Sequence, residues 1–258
     1  MARVLITGSS RGIGRATALE LAARGHEVIA TARRVETLTD LPVAQRLALD
    51  VTDQASVDAA IAAAGPIDVL VSNAGETMRG TIESTPLAEF ERLYQLNTIG
   101  AVRVTQAVLP GMRERGSGRI IYLSSILGRL AIPLIGAYAQ TKWALEAIAE
   151  TLALEVGDLG LHVTVLEPGT VATDGRRLAP SYPDRRLDYA RLWERLGQLA
   201  ESPAVPAEQV AQAIAEAIEA PRPPFRTPVG ESATALLDML HQAPTDQPFD
   251  TLTLLPSR

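Results

Sequence analysis

Short, nearly uninterrupted apolar runs recur along this chain at intervals that leave room for a helix between neighbours, and this rhythm restricts the fold more than any other feature. Arg3–Thr7, Glu27–Thr31, Gln45–Leu49, Ile67–Ser72, Arg119–Ser124 and His162–Leu166 read as strands. Gly12–Arg24, Asp53–Ala64, Leu87–Arg113, Ala137–Val156 and Pro206–Ala220 read as helices. In the first helix Ile13, Ala16, Leu19 and Ala22 or Ala23 keep helical spacing, and Gly25 closes it. Asp53 is placed to cap the second. Strands apolar on both faces need cover on both faces, which argues for a parallel sheet between two layers of helices. Right-handed crossovers then give an α/β fold, a doubly wound Rossmann-type sheet.

The rhythm breaks after Thr173. Residues 174–203 are rich in Arg, Pro and Tyr, with one helix expected around Asp184–Leu199. Phe225–Val229 reads as a last short strand, and the tail 244–258 carries weak signals. With 258 residues, 47% of them hydrophobic, residues 1–258 can form a single domain around a large core. Residues 174–203 are expected to form a lid over a substrate.

Composition narrows the function classes. No run approaches 18 purely apolar residues, so no membrane partner is expected. The N-terminus enters a strand at once and shows no secretory leader, and cysteine is absent. A cytoplasmic protein without disulfides or thiolate catalysis is expected. His26, His162 and His241 are scattered and offer no metal-ligand spacing. The net charge is −6 with no long basic run, which makes nucleic acid and anionic membrane poor partners.

Thr7-Gly8-Ser9-Ser10-Arg11-Gly12-Ile13-Gly14 lies between the first strand and the first helix. A glycine cluster in that position cradles a pyrophosphate. Gly8 suits the tight turn; Gly12 and Gly14 allow close backbone approach and helix packing. The helix N-terminus adds free N–H groups and a positive dipole end. A site preferring NAD usually carries an acid at the end of the second strand. Here the residue is Ala32, followed by Arg33 and Arg34, while Arg11 sits in the glycine turn. Guanidinium forks suit a ribose 2′-phosphate. Either Arg33 or Arg34 could make that contact, and both could instead be a solvated helix start. Asp50-Val51, ending the third strand, is placed to meet an adenine, although Asp50 could equally be a turn or cap residue.

Of 24 basic residues only Lys142 is a lysine, and it follows Tyr138 by four positions. Random placement beside one of five tyrosines has a chance of about 2%, which lifts a weak Y-x-x-x-K motif above ordinary coincidence. On a helix the two share one face. A neighbouring ammonium stabilises phenolate, so Tyr138 is expected to titrate below its usual range and to exchange a proton with a carbonyl or alkoxide oxygen. Ser125, just past the fifth strand, could hydrogen-bond the developing oxyanion. No histidine lies within motif distance to serve as the base of a serine hydrolase. Asn97, in a long helix beside Gly100, could hold a water beside Lys142 or could be a polar core residue. Leu130, Ile132, Leu134 and Ile135 are expected near the mouth of a pocket for a hydrophobic substrate, and could equally be ordinary packing.

Taken together these residues resemble the short-chain dehydrogenase/reductase family. The resemblance rests on Thr7-Gly8-x-x-x-Gly12-Ile13-Gly14, Asp50-Val51, Asn73-Ala74-Gly75, Asn97, Ser125, Tyr138-x-x-x-Lys142 and Pro168-Gly169-x-Val171-x-Thr173. Ala32-Arg33-Arg34, Glu167-Pro168-Gly169 and Pro228-Val229-Gly230 are similar to the 17β-hydroxysteroid-dehydrogenase-like and retinol-dehydrogenase-like branches. The resemblance implies a catalytic tetrad of Asn97, Ser125, Tyr138 and Lys142, with Lys142 also on the nicotinamide ribose. It implies that Gly8, Ser10, Arg11, Gly12, Ile13, Gly14, Arg33, Arg34, Asp50, Val51, Asn73, Ala74, Gly75, Pro168, Gly169, Val171 and Thr173 surround NADP(H). The implied reaction is hydride transfer to or from a small-molecule carbonyl or alcohol. The alternatives are the same chemistry with NAD(H) and a non-catalytic NADP-binding regulator. Ser72 replaces the first Asn of the family's usual Asn-Asn-Ala-Gly. The C-terminus lacks the Asp-Gly-Gly ending of many tetrameric members, so a homodimer through the helices at Leu87–Arg113 and Ala137–Val156 is implied over a tetramer.

Overall fold

The computed structural model describes residues 1–173, 179–183, 189–194 and 204–251. Its strands are β1 (Arg3–Ile6), β2 (Glu27–Ala32), β3 (Gln45–Ala48), β4 (Val69–Ser72), β5 (Arg79–Gly80), β6 (Gly118–Leu123), β7 (Leu161–Pro168), β8 (Val171–Ala172), β9 (Ser181–Tyr182), β10 (Val205–Pro206) and β11 (Arg226–Val229). Seven of them form one sheet in the order β11-β7-β6-β4-β1-β2-β3, parallel throughout. β5 pairs with β9, and β8 with β10. The chain winds outward from β1 to β3, then returns to place β4 on the other side of β1. That reversal opens a crevice at the carboxyl ends of β1 and β4, where such sheets bind ligands.

The helices are α1 (Gly12–Ala23), α2 (Gln54–Ala64), α3 (Leu87–Tyr94), α4 (Gly100–Arg115), α5 (Gly136–Val156), α6 (Ala207–Glu219) and α7 (Glu231–Gln242). Strand side chains alternate between two cores. Leu5, Ile29, Leu70, Ile120 and Val165 pack with Val57, Val104, Met112, Leu145 and Leu152 of α2, α4 and α5. Val4, Ile6, Val28, Val71 and Leu166 pack with Leu21 of α1 and Val210 and Ile214 of α6. Each such side chain contributes about 1.5–3 kcal/mol on leaving water. Asp53 caps α2, its carboxylate accepting from the Ala55 N–H at 3.1 Å. Gly25 closes α1 at φ +82°, a backbone angle that disfavours side chains.

The two-residue strands β5, β8, β9 and β10 lie outside the expected set, and two helical regions depart from it as well. The long helix over Leu87–Arg113 is divided: α3 passes into a π-helical turn at Gln95–Ile99 before α4 begins. The Asn97 amide bonds outside the helix within this turn, and a Cβ on Gly100 would meet Val51 Cγ2 at 2.7 Å. The helix α7 was not anticipated, although Ala233, Leu237 and Leu240 repeat at helical spacing and pack beside Leu127 and Leu130. Residues 174–178, 184–188 and 195–203 of the expected lid lie outside the described residues, as do 252–258 of the tail. Within the helix expected at Asp184–Leu199, residues 189–194 are helical. Among the described residues no helix is long and apolar enough to cross a membrane.

Candidate active site

The crevice at the end of β1 and β4 opens into a cleft of about 460 Å³. Its floor is the glycine turn. Gly8 (φ +75°) and Gly12 (φ +56°) occupy the left-handed region, and a Cβ on Gly12 would come within 3.2 Å of Thr173 Cγ2. Ser10, Arg11 and Ile13 line the cleft beside them, where α1 begins. Gly14 lies behind this lining: a Cβ there would strike the Gly8 carbonyl oxygen at 2.3 Å, so it seats α1 against the turn. Asn73 fixes the turn to the end of β4, its Nδ2 donating to the Thr7 and Gly8 carbonyls at 2.8 and 3.2 Å. Thr7 Oγ1 accepts from the Asn73 and Ala74 N–H groups at 2.9 and 3.0 Å. Ala74 and Gly75 continue the wall. This cradle, walled where side chains would clash and open to backbone N–H groups, fits the diphosphate of a dinucleotide.

One end of the cleft is formed by Ala32, Arg33, Asp50 and Val51. Arg33 is 66% exposed and its Nη2 lies 3.6 Å from Glu76 Oε1. Arg34 does not reach the lining. It stands before the 3-10 turn Val35–Leu38, its carbonyl accepts from the Thr37 N–H and hydroxyl at 3.2 and 2.6 Å, and the residue is exposed to solvent. Burial works to raise the Asp50 pKa, but the Thr52 hydroxyl and N–H, with Arg33 and Arg103 nearby, hold it below its ordinary value. Asp50 therefore also serves the turn it ends.

At the other end Tyr138 and Lys142 lie on one face of α5, with the Lys142 Nζ 5.8 Å from the centre of the Tyr138 ring. Both line the cleft, together with Ser125, Pro168, Gly169, Val171 and Thr173. The Ser125 hydroxyl accepts from the Leu127 N–H at 3.2 Å and donates to the Pro168 carbonyl at 3.5 Å, beside the Tyr138 phenol. Burial pushes that phenol up to about 12, against the lowering effect of Ser125. This differs from the expected downward shift. The Lys142 ammonium is itself buried, donates to the Leu123 carbonyl at 2.6 Å, and is pulled down to about 8 by desolvation against the opposing charge of Glu146. Burial sets the direction of the shift at Tyr138.

Asn97 is 1% exposed and its side chain lies behind the cleft wall. Its Nδ2 donates to the Glu76 carbonyl at 2.8 Å and the Thr141 hydroxyl at 3.0 Å; its Oδ1 accepts from the Glu76 N–H at 2.9 Å. The side chain thus braces the loop after β4 against α5. Ile132 and Ile135 line the mouth as expected, while Leu130 and Leu134 are buried away from it. Sequence reasoning missed Glu76, Thr77 and Arg79 after β4, and Ser232 and Leu236 on α7. The period of α7 could have revealed Leu236; nothing in the spacing marks Glu76.

Behind Lys142 is a buried cluster of charge. Glu146 and Glu167 are 4% and 1% exposed. Arg226 bonds Glu146 at 3.0 Å, and Arg129 bonds Glu167 at 3.2 Å. Desolvation and Glu146 raise the Glu167 pKa, and the two arginines lower it, with a net upward shift.

The family described as short chain dehydrogenase matches residues 2–181, and the chain belongs to it. Human 17-beta-hydroxysteroid dehydrogenase type 1 is 34% identical, over 96% of this chain and 83% of its own length. Human retinol dehydrogenase 8 is 35% identical, over 86% and 79%. A short-chain dehydrogenase from Streptomyces avermitilis, solved by crystallography, superposes with a TM-score of 0.84 at 37% identity, covering 94% of this chain and 95% of its own. The chain is therefore an oxidoreductase of this family, within the branch that includes those two human relatives.

Proposed function

We propose that this protein is an NADP(H)-dependent reductase of carbonyl groups on hydrophobic small molecules, with Tyr138 as the proton donor. The observation that carries this reading is the convergence of Ser125, Tyr138 and Lys142 at one end of a dinucleotide-sized cleft whose other end presents Arg33 beside Ala32. The glycine turn and the N-terminus of α1 would hold the diphosphate, Asp50 and Val51 the adenine, Arg11 and Arg33 the 2′-phosphate, and Pro168, Gly169, Val171 and Thr173 the nicotinamide. When bound there, the nicotinamide would supply the hydride for the carbonyl carbon.

Tyr138 gives its proton to the carbonyl oxygen and regains one from solvent, so that the ketone or aldehyde becomes an alcohol. A phenol pushed up to about 12 is protonated at neutral pH, the form that can donate to a carbonyl oxygen. Ser125 orients the phenol and can donate to the same oxygen. Lys142 places positive charge beside the phenol and can bond the nicotinamide ribose. Asn97 acts as a positioning residue through Glu76 and Thr141. Ile132, Ile135 and Leu236 give the mouth an apolar wall that suits a hydrophobic substrate.

The test is kcat/KM over a panel of ketones and aldehydes with NADPH and with NADH. A preference for NADPH and turnover of apolar carbonyls are expected; a preference for NADH or silence across the panel would overturn the reading. Use of NAD(H) has one observation behind it, the ion pair that Glu76 already makes with Arg33. A cytoplasmic site of action fits a chain without cysteine. For assembly we propose a homodimer through α4 and α5, between which Val102, Leu109, Ile148 and Leu152 line an apolar groove. A monomeric mass in solution would exclude it.

A further inference from the structure

We propose that Glu76 competes with the cofactor 2′-phosphate for Arg33, so that this carboxylate sets how strongly the chain prefers NADP(H) over NAD(H). The inference rests on the cofactor reading above and adds a residue to it. Arg33 follows the end of β2, and Glu76 follows the wall residue Gly75 after β4. β1 lies between those two strands. The Arg33–Glu76 pair, 3.6 Å apart, therefore spans the crevice above the glycine turn, across the path a dinucleotide must take.

The two partners differ in freedom. The Glu76 N–H and C=O are both held by the Asn97 amide, at 2.9 and 2.8 Å. Its second carboxylate oxygen accepts from Arg92 Nη1 at 2.8 Å, and Arg92 is in turn bonded to Glu89. Arg33 is 66% exposed and carries no comparable restraint. When a phosphate arrives, Arg33 must leave Glu76, because Glu76 cannot follow. A phosphate takes a guanidinium more strongly than a single long carboxylate contact does. Phosphate therefore wins, but its gain is reduced by the broken pair and by repulsion from the Glu76 charge. NAD(H), which brings no phosphate, leaves the pair in place. Asp50 adds a second negative charge near Arg33, and Arg11 and Arg103 the nearby positive ones.

An exposed ion pair of this kind limits the effect to roughly three- to fivefold in affinity. The dissociation constants of NADPH and NADH are to be measured by calorimetry for the wild type, Glu76→Gln, Arg33→Ala and the double variant. Glu76→Gln should tighten NADPH about three- to fivefold and leave NADH within twofold. The gain should vanish in the Arg33→Ala background and shrink as salt is raised. If Arg33→Ala weakens NADPH while Glu76→Gln leaves it unchanged or weaker, the competition is refuted and the cofactor reading stands. If Arg33→Ala leaves NADPH unchanged, the assignment of the phosphate to Arg33 falls, and the competition with it.

Discussion

Lys142 donates its buried ammonium to the Leu123 carbonyl at 2.6 Å, and this bond joins α5 to the carboxyl end of β6. It holds the cation beside Tyr138 before any ligand arrives. The burial of that ammonium makes its charge sensitive to its surroundings.

Burial brings Lys142 down to about 8, and Glu146 works against that fall. The ammonium is complete below about 8 and is lost as pH rises through it. Carbonyl reduction should therefore be level at neutral pH and decline above about 8. Removing the Glu146 charge removes what holds the lysine up, so Glu146→Gln should move the decline to lower pH. A pH profile of kcat/KM measures both; an unmoved profile would separate Glu146 from Lys142. The same group affects stability with a definite sign. Between about 8 and its ordinary value the unfolded chain binds the lysine proton and the folded one does not, so this contribution favours folding as pH rises.

Tyr138→Phe removes the proton donor while keeping the ring. A loss of about 10²- to 10⁴-fold in kcat is expected, with the dissociation constant of NADPH nearly unchanged. Rapid single-turnover kinetics with preloaded cofactor would check it, and near-normal rates would remove Tyr138 from the chemistry.

Ala32 is 5% exposed and lines the cleft where an acid would meet a ribose hydroxyl. Ala32→Asp with Arg33→Ala should therefore shift the NADPH-to-NADH ratio of kcat/KM toward NADH by roughly tenfold to a hundredfold, the scale of a hydrogen bond to a charged group. An unchanged ratio would assign the phosphate to another group.

Asn97→Ala takes the partner from the Glu76 N–H and C=O and one of two bonds from the Thr141 hydroxyl, which still donates to the Tyr138 carbonyl at 2.7 Å. Urea unfolding should show a loss of about 1–3 kcal/mol, together with reduced kcat. A fall in kcat at unchanged stability would argue against the bracing role and for direct work at the reacting atoms.

Much of this was legible in the sequence because strand and helix periods place residues on faces. The four-residue step from Tyr138 to Lys142 sets them side by side on any helix, and the glycine turn is fixed by its position between β1 and α1. Other features depend on contacts that spacing does not encode. Arg34 is exposed and outside the cleft while its neighbour Arg33 lines it, and Glu76 meets Arg33 only because the sheet places β4 and β2 on either side of β1. The phenol shifts opposite to expectation because the burial that brings the two side chains together also desolvates them both.

The π-helical turn at Gln95–Ile99 carries one residue more than a regular helix accommodates over the same contacts. Deleting one residue there would let the segment close into an ordinary α-helix with α3 and α4 still in phase, so that Val104, Val108 and Met112 keep their places on the sheet. What such a gap removes is the widened turn from which the Asn97 amide reaches Glu76 and Thr141. A one-residue deletion in this stretch should therefore spare the core and undo the brace.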